Sequence, residues 1–412
     1  MQIPARAPLM PLTQALGSLL VAAESGLPVE IVSTLDADGR VLAEDVVSAL
    51  HVPPQDNSAM DGYAVRCADF TQGGAVFSVT QRIAAGSSGH LVAPFTCARI
   101  FTGAPIPPGA DAVVMQEDCR VVNDCEGGVR IPTVPTPGQH IRRAGEDVSR
   151  GQVVLQSGQR IGPAEMGLAA SVGLDTLRVA HRPRVALFST GDELVMPGAV
   201  APEAMLPGAI YNSNRFFLAA LLRRMGCTVT DFGIVPDQME VTVAALHAAA
   251  QQHDLILTSG GVSVGEEDHV KPAVQRLGAL DLWQIAIKPG KPFAYGQVGS
   301  THFIGLPGNP VSSLVTFLLL VRPFLLRLQG VTDVAMKTVA ARADFAWPKA
   351  DFRQEFLRVR RNGSGGLDLF PNQSSGVLTS VVWADGLIDN PAQCVIVPGD
   401  TVRYVPFEEL WG

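Results

Sequence analysis

Leu255-Ile-Leu-Thr-Ser-Gly-Gly-Val-Ser-Val-Gly-Glu-Glu-Asp-His-Val270 is the stretch from which the fold can be read. Its first three residues are a short apolar run of the kind that makes a buried strand, and a helical pattern begins near Val270. Between them lies a glycine-rich turn that includes Gly260, Gly261, Ser263 and Gly265. A turn of this kind leaves backbone N–H groups unpaired and lets a ligand approach the main chain, which suits a phosphate. The turn also carries Glu266, Glu267 and Asp268. Carboxylates so close to a phosphate repel it unless a divalent cation, usually Mg²⁺, lies between them. Cradle and acids together point to Mg²⁺-assisted chemistry on a phosphate or phosphoanhydride. A Gly-Gly turn before a solvated acidic helix start accounts for the same residues, because carboxylates favour a helix's first turn.

Outward from this turn, residues 184–330 alternate strands and helices. Strands are expected at 185–189, 228–235, 255–257 and 282–287, with a hairpin over 293–297 and 302–305. Helices are expected at 215–225, 241–252, 270–277 and 310–328, the last bending near Pro323. This pattern specifies an α/β layered domain with a largely parallel sheet, whose ligands sit at the carboxyl ends of strands. Three loops follow strands there: Ser189-Thr-Gly-Asp-Glu193, the opening turn, and Gly305-Leu-Pro-Gly-Asn-Pro310.

The flanks differ. Residues 9–20 carry a short amphipathic helix, with strands expected at 30–33 and 40–43. Residues 51–150 read as an all-β unit of turns and short strands, at 76–80, 98–101, 112–116 and 128–131. Residues 151–182 return to a strand and a helix beginning at Pro163. The division is therefore 1–50 plus 151–182 as a mixed α/β unit, 51–150 as an inserted β domain, 183–330 as the α/β domain, and 331–412 as a C-terminal β domain, with strands at 354–359 and 394–397. The class is multidomain α/β plus β.

Of the 412 residues, 47% are hydrophobic and 17% charged, enough for large cores. The formal net charge of −8 argues against nucleic acid or an anionic membrane as the main partner. No apolar stretch reaches the length of a bilayer span, and the N-terminus lacks a signal-peptide pattern. Six cysteines without a Cys-x-x-Cys pair fit free thiols in a reducing cytoplasm.

Candidate site residues have competing readings. Glu193 is either a ligand for Mg²⁺ or for a water, or a solvated turn acid. Asp237, with Glu240 three residues on, looks like the N-cap of a capping box, though a cap at a strand's carboxyl end also faces a ligand. Lys288-Pro-Gly-Lys291 sets two ammonium groups about a tight turn, suited to a small oxyanion. Asn309-Pro310 reads as a helix cap whose positive end favours an anion. Arg142, Arg143, Glu146 and Asp147 form either a site or a surface ion-pair turn. Gly261-Val-Ser-Val-Gly265 also fits a hydrolase nucleophile elbow, which would need His269 or His302 as its base.

Several motifs occur in one order along nearly the whole chain. They are Asp56-Asn-Ser-Ala-Met-Asp-Gly-Tyr-Ala64, Thr102-Gly-Ala-Pro105, Gly145-Glu-Asp147, Ser189-Thr-Gly-Asp-Glu-Leu194, Ile210-Tyr-Asn-Ser-Asn214, Ser259-Gly-Gly-Val-Ser-Val-Gly265 with Asp268, Lys288-Pro-Gly-Lys-Pro292 and Leu306-Pro-Gly-Asn-Pro310. With them the chain resembles the molybdopterin molybdenumtransferase family, to which gephyrin E-domain-like proteins also belong. The resemblance implies that adenylylated molybdopterin, delivered by molybdopterin adenylyltransferase, receives molybdate and releases AMP with Mg²⁺ present. It implies a cytoplasmic homodimer of four-domain subunits with a cleft that both subunits line. By motif match, Glu193, Asp237 and Asp268 are the acidic group, with Glu193 and Asp268 on the metal. Lys288 and Lys291 hold molybdate with Arg358 and Ser375, and Asp61, Thr102, Arg142 and Asp147 come from the inserted domain. Ser374 departs from the glycine usual there, which bears on Ser375. Two other functions fit the same residues less fully: the adenylyltransferase itself, usually the α/β domain alone, and a non-catalytic dimeric scaffold.

Overall fold

The computed structural model describes residues 9–23, 26–122, 127–236, 238–261 and 269–411, the side chain of Leu282 apart. At its centre is a six-stranded sheet in the order Thr228–Val235, Arg184–Thr190, Leu255–Ser259, Thr301–Leu306, Pro292–Val298, Gly278–Gln284. The first four strands are parallel, Pro292–Val298 runs antiparallel to them, and Gly278–Gln284, antiparallel to Pro292–Val298, returns to their direction. Leu255, Ile256 and Leu257 are fully buried, as a strand covered on both faces requires. The chain starts at Arg184–Thr190, moves out to Thr228–Val235 on one side, then crosses to Leu255–Ser259 on the other. A crevice opens at the carboxyl ends where the direction of winding reverses.

Helices Met239–Ala250 and Val270–Leu277 cover one face of the sheet, and Asn214–Arg224 and the long helix Pro310–Leu328 the other. The long helix has a wide turn over Phe317–Val321, just before Pro323, where the missing N–H interrupts the regular ladder. Contrary to the expectation that no apolar stretch reaches the length of a bilayer span, this helix is long and apolar enough to cross a membrane, with an 18-residue window of mean hydropathy 1.8, but 89% of that window is buried inside the protein. Its apolar surface is matched from three directions. Ala15 and Leu19 of helix Leu12–Ala22, Leu187 and Ile304 of the sheet, and Phe356, Leu387 and Val405 of the C-terminal unit share one core with it. The first helix therefore packs on the central unit, although sequence order groups it with the strands that follow it.

The strand expected over 282–287 is divided. Gly278–Gln284 belongs to the central sheet, while Ile287–Lys288 pairs in parallel with Gln354–Arg361 of the C-terminal unit. Met10 takes the ladder between them, donating to Gln284 O at 2.7 Å and accepting from Ala286 N at 2.8 Å. In the C-terminal unit, five strands close on themselves, and Ile287–Lys288 extends the sheet. The expected strand at 394–397 is reduced to a bridge between Trp347 and Ile396, and that at 40–43 to bridges at Val41 and Leu42. Segments Val29–Ser33 and Thr176–Ala180 pair antiparallel, and Leu42, Val46, Leu155, Ala169 and Val179 share a core. Between them in the chain, a six-stranded sheet runs in the order Ala112–Met115, Gly62–Val65, Thr96–Ile100, Ala75–Ile83, Gly128–Ile131, Arg120–Val122.

Candidate active site

The crevice is a cleft of about 610 Å³ at the carboxyl ends of the parallel strands. Thr190–Leu194, Ile210–Asn214, Ser259–Gly261 and Pro307–Pro310 line it. Gly260 has φ +91°, and a Cβ there would lie 2.6 Å from Thr190 O. At Gly261, φ +70°, a Cβ would come within 2.8 Å of Val270 and 2.9 Å of Thr190 Oγ1. Only glycine permits this approach of two strand-end loops. The Asn214 amide, at the start of its helix, donates to Ser259 Oγ at 2.9 Å and to Gly308 O at 2.7 Å. The buried side-chain atoms Ser189 Oγ, Thr190 Oγ1, Asn212 Nδ2 and Thr258 Oγ1 have no hydrogen-bond partner among the described residues. Of these four residues, Thr190 and Asn212 line the cleft, where an unpartnered polar atom suits a polar ligand. Asp192 and Glu193 are exposed on the cleft wall, and the Glu193 carboxylate folds back over Gly191.

Beside the cleft, next to its lining residues Pro292 and Ser312, lies a cationic loop; Lys288, Lys291, Arg358 and Ser375 are not among the residues that line the cleft itself. A Cβ at Gly290 would meet Thr316 Cγ2 at 2.6 Å, so the Lys288–Lys291 turn rests on the first turns of helix Pro310–Thr316. Pro310 occupies the first helical position as expected, but the Asn309 side chain makes no capping bond. Instead Val311 N donates to Ser375 O at 2.9 Å, so a C-terminal loop closes the helix end. The neighbouring carbonyl, Ser374 O, accepts from Arg358 Nη2 at 3.3 Å. Arg358 is fully buried, and its other partners are Ser380 Oγ at 3.1 Å and Phe356 O at 3.3 Å. No carboxylate faces it among the described residues, and burial pushes its pKa down to about 10. A buried cation beside a helix's positive end attracts an anion.

Lys288, expected to hold an oxyanion, is paired with Glu355 at 2.9 Å and Asp351 at 3.3 Å. Lys291 is half-buried and has no ion pair among the described residues. In the inserted β unit, Asp61 Oδ1 accepts from both the N–H and the hydroxyl of Thr102 at 2.8 Å. These bonds, the backbone one first, lower the Asp61 pKa. Arg142 and Asp147 are exposed, while the ion pair of that turn joins Arg143 to Asp56 at 2.6 Å. None of these β-unit residues lines the cleft of its own chain.

Asp237, Ser263, Gly265 and Asp268 lie outside the described residues. Helix Met239–Ala250 has Gln238 at its cap position, and Glu240 pairs with Arg276 at 2.7 Å. The hydrolase reading loses His302, which opens its strand opposite Leu255, away from the cleft, with Tyr295 OH 3.0 Å from its Nδ1. Asn214 and Glu355 were not expected as site residues. Asn214 stood in a quoted motif, whereas Glu355 gave no signal, because its partner is 67 residues away.

Three family models cover the chain: the MoeA N-terminal region (domain I and II) over residues 10–173, a probable molybdopterin binding domain over 186–327, and the MoeA C-terminal region (domain IV) over 340–407. A molybdopterin molybdenumtransferase of Haemophilus influenzae is 38% identical over 98% of this chain and 100% of its own length. A second, from Mycobacterium tuberculosis, is 39% identical over 89% of this chain and 91% of its own. The crystal structure of a molybdopterin biosynthesis MoeA protein from Pyrococcus horikoshii superposes with TM-score 0.84 at 28% identity, covering 97% of this chain and 100% of that one. Matched along nearly its whole length, the chain belongs to the molybdopterin molybdenumtransferase family.

Proposed function

We propose that the chain inserts molybdate into adenylylated molybdopterin and releases AMP. The observation that carries this reading is a glycine-rich, acid-bearing cleft with a cationic loop next to it, beyond the lining residues Pro292 and Ser312. The glycine-rich, carboxylate-bearing wall of Thr190–Glu193 and Ser259–Gly261 suits a phosphoanhydride. The adjoining group of Lys291, Arg358 and the start of helix Pro310–Thr316 suits a small divalent oxyanion.

Mg²⁺ fits the glycine-rich wall, because Glu193 offers a hard oxygen and a substrate phosphate supplies others, the mixed shell that this ion favours. Bound there, with Glu193 and Asp268 as its protein ligands, it would neutralise charge on the anhydride oxygens. Water attacks the phosphorus, the P–O bond to AMP breaks, and a carboxylate of the Glu193, Asp237 and Asp268 group accepts the proton. Lys291 and Arg358 hold the oxyanion, with Lys288 and Ser375 shaping its pocket. Asp61, Thr102, Arg142 and Asp147 complete the site from a second copy, which makes the working unit a homodimer. The donor of the adduct is molybdopterin adenylyltransferase, and the free thiols at Cys67, Cys97, Cys119, Cys227 and Cys394 support a cytoplasmic setting.

The test is AMP release from adenylylated molybdopterin with Mg²⁺, with and without molybdate, for wild type, Glu193→Gln and Asp268→Asn. Molybdate-dependent release that drops in both variants supports the reading. Folded wild type that binds the adduct and never cleaves it overturns it.

A further inference from the structure

Lys288 already has its counter-charges. The Glu355 carboxylate is 1% exposed and receives Lys288 Nζ at 2.9 Å on Oε1. Its other oxygen, Oε2, accepts from Trp347 Nε1 at 2.8 Å and Asn390 Nδ2 at 3.5 Å. Asp351 approaches the same ammonium at 3.3 Å and is itself forked by Arg353, whose guanidinium holds the Asp351 carboxyl well below the usual carboxylate range. The Trp347 ring lies 5.8 Å from Lys288 Nζ. Two cations and two carboxylates cancel, so Lys288 has no surplus charge to offer an oxyanion.

The backbone is arranged to the same end. Lys288 stands directly opposite Glu355 in the parallel ladder that joins the central and C-terminal units, and Gln354 N donates to Ala286 O at 2.9 Å just before it. Gly290 packs on Thr316, and Ile285 N donates to Lys291 O at 2.8 Å, closing the turn on itself. Fixing the Lys288 side chain therefore fixes the base of the turn that ends at Lys291.

We propose that Glu355 is a positioning residue for the oxyanion: by locking Lys288 across the ladder, it sets where the turn presents Lys291. This rests on the oxyanion role of the turn given above, and deepens it by dividing the two lysines of one turn between a structural and a binding task. A buried carboxylate that loses its cation is left uncompensated, whereas removing both charges together leaves neither stranded.

Two measurements test it. Glu355→Gln is expected to raise the molybdate KM about tenfold, with kcat within about twofold and the KM for the pterin adduct unchanged. Glu355→Asp, which keeps the charge, should fall between. In thermal melts, Lys288→Met/Glu355→Gln should unfold at a higher temperature than Lys288→Met alone, yet keep the raised molybdate KM. A Glu355→Gln enzyme that melts early but keeps the wild-type molybdate KM overturns the positioning role. Strictly additive melts overturn the lock itself. If the wild type releases no AMP in response to molybdate, the functional reading falls, and the melts still decide whether Glu355 holds Lys288.

Discussion

Asn214 Nδ2 sits 2.7 Å from Gly308 O and 2.9 Å from Ser259 Oγ, so one amide ties a helix start to the ends of two parallel strands. Asn214 is 8% exposed, and water cannot readily replace it there. Asn214→Ala should cost about 1–3 kcal/mol, the range for leaving buried hydrogen-bond partners unmade. Molybdate-dependent turnover should drop further than stability does, because both cleft loops lose their tie. Urea unfolding and AMP release measured on the same preparation check this.

Gly260→Ala combines a left-handed backbone with a Cβ placed 2.6 Å from Thr190 O. Gly299 has a similar φ, +60°, but open space around it. Gly299→Ala should cost about 1 kcal/mol of strain alone, while Gly260→Ala should cost about 1–3 kcal/mol more and displace the loop bearing Glu193. Melting temperature and activity of the pair separate the two effects.

Arg358 is buried without a carboxylate among the described residues. Arg358→Met strands no opposite charge, so it should fold with a loss below the several kcal/mol of a broken buried ion pair. Its molybdate KM should nonetheless rise at least about tenfold, with the adduct KM little altered. Unaltered molybdate dependence would remove Arg358 from the proposed oxyanion site.

His302 has its pKa lowered, first by burial. In the unfolded chain the ring takes up a proton near pH 6.5, so there the unfolded state binds more protons than the folded one. This group's contribution is therefore full above pH about 6.5 and is lost as pH falls toward the lowered folded value. Chemical denaturation at pH 7.5 and 5.5 should show a smaller acid loss for His302→Gln than for wild type.

Asp61→Ala and Glu193→Ala remove groups from different units of the chain. Each variant alone should be inactive. If two copies share each cleft, co-refolding equal amounts should restore about a quarter of wild-type activity, since half the dimers are mixed and each has one intact site. Activity that stays absent in demonstrably mixed dimers would place Asp61 outside the shared site.

The central sheet was legible because Leu255-Ile-Leu257 and its neighbours are buried on both faces and bounded by glycine turns. The helix Val270–Leu277 and strand Thr228–Val235 fall where periodicity sets them. What escaped were interactions made by distant partners. Nothing local in Leu282 to Ile287 says that Met10 interrupts the strand, and nothing near Lys288 announces Glu355. The 40–43 and 394–397 segments have strand-like composition, but their neighbours offer single bridges and no ladder. The glycines of the cleft were read as a phosphate cradle, and their tight approach to Thr190 became visible only in three dimensions.

The long helix Pro310–Leu328 has a consequence for how the chain is made. It leaves the ribosome as a bilayer-length apolar segment, while the residues that cover one side of it, Phe356 to Leu410, have yet to be synthesised. Helix Leu12–Ala22 and strands Arg184–Thr190 and Leu255–Ser259 emerge earlier, and can shield part of it. During that interval the nascent chain presents greasy surface to chaperones and to membrane-targeting factors alike. A chain truncated near residue 330 would carry the same exposure permanently, and should be recovered as aggregate.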